Sequence, residues 1–409
     1  MNMASESDGS SLLGESFRWF GPEDPVPLSY IRHTGAEGVF SSLHAIPPGE
    51  VWPVEAIRER RVLIESSGLI WSAVESLPVH EDLKRGAGDL KGLLGNYASS
   101  LENLASQGIM TVVYNFMPVL DWIRTDMRHP LPDGTECMLY DPAKFAAFEV
   151  HALRRSGAAR DYTPEQLDRG TRWWEGLDPA AREDFIRNII DVFPGVKRGL
   201  VLDDIRSLIS LYDGIGDREL FSNLCRFLEA IVPKAEALGM RLAIHPDDPP
   251  FPVLGLPRIV SRQHQIEAIL LAVDSPANGL CFCTGSLSAD PANDIPGMIR
   301  KFAGRIHAVH LRNTSRLADG SFFESDHLAG SVDMAEAMQL LLDEQERRRS
   351  EGRGDWRLSF RPDHGHTMMD DLGKENILTP GYSAIGRMRG LAELRGLMHG
   401  LRHARLNPR

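Results

Sequence analysis

The segment RPDHGH, Arg361 to His366, sets an arginine, an aspartate and two histidines directly after DWRLSF (Asp355–Phe360), which reads as a short buried strand. An acid and two imidazoles at a strand end are groups that hold a divalent cation or move a proton. Three other strand-like runs end in residues of the same kind. They supply His245 in IHPDD, Cys283 in FCTG and His310 in VHLR, with Asp363 of RPDH as the fourth. Successive members lie 38, 27 and 53 residues apart. Those gaps are too long for a local zinc motif, but they suit ligands delivered once per strand–helix unit. Taken singly, a strand histidine is usually a satisfied core residue, a strand cysteine a small buried hydrophobe, and a strand-end aspartate a helix cap. Their recurrence on four consecutive strands points instead to one metal centre. Two imidazoles, one thiolate and one carboxylate can hold a divalent ion, and the soft thiolate leans toward Zn2+ or Fe2+.

Further polar groups fall at or just beyond other strand ends. Trp19, His44, Glu75, Asn115 and Arg124 are candidates for binding substrate. Arg124 and Arg312 are candidates to clamp a carboxylate, with Arg361 as a third. His364 and Tyr382, the latter in TPGYSAIGR, form a candidate acid/base pair, with His366 as the alternative to His364. Cys281 shares the alternating strand pattern with Cys283 but carries no assignable role.

These residues need a scaffold that brings many strand ends to one place. Eight apolar runs fall at 17–21, 38–44, 69–76, 110–116, 241–248, 279–285, 305–312 and just before Arg361. Amphipathic segments such as PVEAIRERRVLIESSG (53–68) separate many of them. Eight strand–helix alternations predict an α/β fold, a (β/α)8 TIM barrel, whose chemistry sits at the C-terminal strand ends. An open doubly wound sheet is the alternative, weakened because no G-x-G-x-x-G loop follows the first strand. A gap of some 120 residues after Phe116 interrupts the rhythm. It reads as a helical insertion over about 117–240, lying over the catalytic face. One of its helices opens at Thr163, with Pro164 at the first helical position and Gln166 completing a capping box. A second starts at Asp178–Pro179, and DRELFSNLCRFLEAIVPKAEALG (217–239) leads into the fifth strand. Residues 1–15 read as a disordered polar leader, 16–400 as a single barrel domain, and 401–409 as a tail.

The 409 residues are 42% hydrophobic, enough for a large core. Lys plus Arg is 45 and Asp plus Glu is 57, a net charge of −12. That balance argues against nucleic acid or an acidic membrane as the main partner. No apolar run reaches the roughly 18 residues of a membrane span. Four cysteines, Cys137, Cys225, Cys281 and Cys283, fit reduced thiols in the cytoplasm.

The motifs RWFGPEDPV, LHAIPPGEVW, VESLPVHED, YNFMPVLDWIRTD, HPDDPP, GLPRIVS, CTGS, RPDHGH and PGYSAIGR together resemble the mannonate dehydratases, from about Phe17 to Gly400. The stretch from Gly373 to Thr379 adds nothing to the likeness. The resemblance implies a xylose-isomerase-like barrel that removes water from D-mannonate to give 2-keto-3-deoxy-D-gluconate in hexuronate (glucuronate) catabolism. It implies Mn2+ or Fe2+ as cofactor, with metal ligands carried onto His245, Cys283, His310 and Asp363 and acid/base residues onto His364 and Tyr382. A small sugar acid is then the expected partner, in a homodimer or higher homo-oligomer. Two alternatives stay open: a metal-dependent sugar isomerase or epimerase on the same barrel, and a non-catalytic sugar-acid-binding barrel.

Overall fold

The computed structural model describes residues 12–190, 199–374 and 379–407. Among these residues twelve strands run in chain order: β1 Gly14–Arg18, β2 Gly38–Ser41, β3 Ile70–Glu75, β4 Thr111–Tyr114, β5 Asp126–Pro130, β6 Glu136–Tyr140, β7 Arg241–Ile244, β8 Asn278–Cys283, β9 Ile306–His310, β10 Thr314–Arg316, β11 Phe322–Glu324 and β12 Ser359–Arg361. Eight of them close a barrel in the order β1-β12-β9-β8-β7-β4-β3-β2. Every pairing in it is parallel, including the closing pair Gly14↔Ser359 and Glu15↔Phe360. The expected (β/α)8 barrel is therefore the fold, and each of its strands overlaps or abuts one of the eight apolar runs.

Strand periodicity divides the residues between two environments. Phe40, Ala73, Val113, Ala243, Cys281 and Ala308, one from each of six strands, pack together inside the barrel. Five of these six side chains are small, as a narrow closed barrel requires. The opposite strand faces pack on the surrounding helices in the main core, where Phe227, Leu228 and Ile231 come from the helix Asp217–Ala237. Helix starts follow the sequence signals. Thr163 caps Pro164–Glu175 through a capping box, and Asp333 caps Met334–Ser350.

Three bounds differ from expectation. Gly14 and Glu15 belong to β1, because closing the barrel against β12 needs them; the rest of the expected leader, residues 1–11, lies outside the described residues. At the other end the helix Ala384–Leu406 runs through most of the expected tail. The insertion is not wholly helical. It contains the helices Pro142–Ala147, Pro164–Glu175, Pro179–Ile190 and Leu202–Ser210, but it opens with the β5–β6 hairpin. The hairpin turns through Leu131-Pro132-Asp133-Gly134, where Gly134 takes φ 82°. Pro-Asp-Gly is a strong turn signal between two strands. The hairpin then pairs with β11, so that β10-β11-β6-β5 form an antiparallel sheet. Tyr140, Phe145, Phe148, Phe185, Leu256 and Phe322 build a second core beneath it. Trp122, from the same insertion, pairs with Asp248 just past β7, and its ring lies 6.0 Å from that of His364. The insertion thus lies over the C-terminal strand ends.

Candidate active site

β7, β8, β9 and β12 end side by side in the barrel and deliver His245, Cys283, His310 and Asp363 to its mouth. His245 Nε2 lies 3.2 Å from His310 Nδ1, and its Nδ1 meets the Pro246 carbonyl at 2.7 Å. Donor atoms of Cys283, His310 and Asp363 lie within 4.8 Å of one another. So do those of His245, Cys281 and His310. The four expected ligands are thus brought together as two overlapping triads that share His310. The sequence reading gave Cys281 no role, yet its Sγ lies 3.2 Å from His310 Nε2. The C-x-C alternation was the available signal, since it puts both sulfurs on one strand face. Burial pushes the Cys281 thiol well up.

Asp363 takes φ 61°, a left-handed backbone that aspartate tolerates better than most residues. Its Oδ1 accepts from Arg361 Nη1, and the Tyr382 hydroxyl lies 3.4 Å away; its Oδ2 faces Cys283 Sγ at 3.8 Å. Burial alone would raise its carboxyl, but Arg361, His364 and His310 together hold it well below the usual carboxylate range. Two ring nitrogens, one sulfur and one carboxylate oxygen, three of the four residues buried and His245 half-buried, fit a divalent transition metal.

His364 and Tyr382 flank this centre. Their rings meet edge to face at 5.1 Å, and His364 Nε2 lies 3.6 Å from Asp363 Oδ1. The other imidazole nitrogen, Nδ1, is 3.2 Å from Glu324 Oε1. Burial raises the Tyr382 phenol, and Asp363 raises it further. His366 turns away, with Nε2 2.9 Å from the Glu324 carbonyl.

The expected substrate-binding residues divide into three groups. At the β1–β2 rim, Trp19 is buried under the Arg60 guanidinium, 5.2 Å from its ring centre, and His44 Nε2 meets Arg18 Nη2 at 3.0 Å. Burial, with Arg18 and Arg60 nearby, lowers His44 to about 3, so its ring stays neutral. Asn115 reaches Asp121 at 3.2 Å, toward the insertion. The other three arginines are already engaged. Arg124 forks onto both oxygens of Asp248 at 2.7 and 3.1 Å and reaches Glu324 at 3.1 Å. Arg312 grips Glu324 at 2.6 and 2.8 Å and Asp248 at 2.6 Å. Each neutralises buried acids that otherwise could not ionise. Arg361 binds Glu75 and Asp363. Asp248 and Glu324 are buried acids beside the site that the sequence reading missed. Asp248 stood in a quoted motif, whereas Glu324 sits on a three-residue strand with no pattern to mark it.

The sequence model of the D-mannonate dehydratase (UxuA) family matches residues 13–407. The chain belongs to the D-mannonate dehydratase family. Among its relatives, the mannonate dehydratase of Chromohalobacter salexigens is 50% identical over 386 residues, covering 94% of this chain and 98% of that protein. The mannonate dehydratase of Marinomonas sp. is 47% identical over 391 residues, covering 95% and 99%. The crystal structure of mannonate dehydratase from Streptococcus suis serotype 2 superposes with a TM-score of 0.73 at 34% identity, covering 96% of this chain and 94% of that one. Near-full coverage on both sides means that the barrel, the insertion and the strand ends are all shared with the family.

Proposed function

We propose that the protein removes water from D-mannonate to give 2-keto-3-deoxy-D-gluconate, with Mn2+ or Fe2+ held by His245, Cys283, His310 and Asp363. The observation that carries this reading is the contact of His364 and Tyr382 with the same carboxylate, Asp363, that closes the ligand cluster. When bound, the divalent ion supplies positive charge that lowers the cost of the anion left when the proton beside the carboxylate departs.

The protein's own residues account for the proton movements. Elimination needs the C2 proton removed and the C3 hydroxyl protonated as it leaves as water; the enol that results becomes the 2-keto product. His364 and Tyr382 are the two groups placed to do this. Glu324 holds His364 by Nδ1, which fixes the ring and leaves Nε2 as the atom that takes or gives a proton. The Tyr382 hydroxyl is the second proton carrier. The insertion and its sheet cover the strand ends and keep bulk water from the charged intermediate. No helix among the described residues is long and apolar enough to cross a membrane. A cytoplasmic homo-oligomer serving hexuronate catabolism completes the proposal.

The test is an assay of the metal-stripped protein on D-mannonate, before and after Mn2+ or Fe2+ is added. A 2-keto acid should form only with metal. Product formation at the full rate in the presence of chelator, or an epimer formed without loss of water, would contradict the reading.

A further inference from the structure

Arg361 is 2% exposed, and each of its three guanidinium nitrogens is already bonded within the protein. Nε and Nη2 fork onto Glu75 at 2.9 and 2.5 Å, while Nη1 meets Asp363 Oδ1. Nη2 also stands 3.4 Å from His310 Nδ1. Glu75 in turn places Oε2 3.3 Å from His310 Nε2. Glu75 ends β3 and Arg361 ends β12, strands separated by β2 and β1 in the barrel order. The pair therefore spans the interior and touches two of the proposed ligands, His310 and Asp363. Arg361, expected from sequence to bind substrate, here links Glu75 to Asp363.

We infer that Glu75 and Arg361 are positioning residues for the metal centre: Glu75 takes up the Arg361 charge so that the Asp363 carboxylate is left available to a second cation. This rests on the metal reading above. One buried cation stands between two buried carboxylates. Glu75 neutralises it in a bidentate pair, so Arg361 orients Asp363 through Oδ1 while Oδ2 stays turned to Cys283 at 3.8 Å. Without the Glu75 charge, the whole guanidinium charge falls on Asp363 and competes with the metal for it. Partners outside the ligand set that orient the ligands typically contribute roughly 10–100-fold in metal affinity.

The experiment titrates full-length metal-stripped protein with Mn2+ alone, reading bound and free metal directly and using no substrate. The parent should bind one equivalent. Glu75→Gln, nearly isosteric, should bind it roughly 10–100-fold more weakly. In Glu75→Gln/Arg361→Gln the competing cation is gone, and affinity should recover by several-fold over Glu75→Gln. Thermal unfolding of each variant checks the fold. If Glu75→Gln does not fold, Arg361→Lys replaces it: a lysine cannot bridge two carboxylates in this geometry, and the same direction of loss is expected. A parent that takes up no Mn2+ would overturn the metal reading itself. A parent that binds while Glu75→Gln, or its stand-in Arg361→Lys, binds equally well would overturn only this inference. So would a double variant no tighter than Glu75→Gln.

Discussion

Tyr382 contributes a single hydroxyl at 3.4 Å from Asp363, and removing it changes little else. Tyr382→Phe and His364→Ala are expected to keep Mn2+ binding and lose about 10²–10⁴-fold in kcat, the usual scale for a general acid or base. Asp363→Ala should instead lose metal and activity together. Parental turnover by Tyr382→Phe, measured with its metal content, would make Tyr382 a packing residue. Cys283 calls for a second test. A thiolate beside Fe2+ is prone to oxidation. Activity should fall in air and return with reductant plus metal, and Cys283→Ser should lose metal; full metal content and activity in that variant would refute the ligand role. At this scale the sequence was informative where a side chain's position followed from strand-end placement. His245, Cys283, His310 and Asp363 were found that way, and the family motifs reinforced them. Strand-end placement does not reveal what a side chain binds. The pairing of Arg124 and Arg312 with Glu324 was hidden because that shared partner lies 200 and 12 residues away along the chain.

The elements over the barrel mouth are joined by that same network. Arg124 belongs to the insertion, Asp248 follows β7, Arg312 follows β9 and Glu324 ends β11. The four side chains are nearly solvent-free, so one lost cation leaves buried negative charge undercompensated. Arg124→Met is expected to destabilise the protein by about 3–5 kcal/mol, measured from the urea midpoint. It should also lower activity, since Glu324 holds His364. A change under about 1 kcal/mol would show the network to be dispensable. The helices of the insertion were legible from caps and periodicity. The β5–β6 hairpin was not read, although Pro-Asp-Gly marked its turn, because β5 is half exposed and its apolar alternation is weak. Its pairing with β11 is a contact between distant segments that no local pattern encodes.

Across the whole molecule, buried titratable groups tie stability to pH. His44 and His327 are held neutral by burial, down to about 3 and about 4 from an ordinary 6.5. The unfolded chain protonates them below pH 6.5 and the folded chain does not, so stability is lost as pH falls through that window. Burial would raise Glu324, yet Arg312, His364 and Arg124 hold it at about 2 against an ordinary 4.5, so its contribution disappears between pH 4.5 and 2. Both windows run the same way. The melting temperature should be highest near neutral pH and fall steadily on acidification from pH 6.5; a flat profile down to pH 4 would contradict these assignments. The barrel itself was the most legible feature. Eight apolar runs ending in polar residues matched eight parallel strands, because nearly every position of these strands is buried on both faces. That placement makes the metal centre the claim on which the rest depends, and anomalous scattering from a crystal soaked in Mn2+ tests it most directly. One strong peak is expected, ringed by His245, Cys283, His310 and Asp363. A peak elsewhere, or one of these four side chains turned away from it, would contradict the assignment.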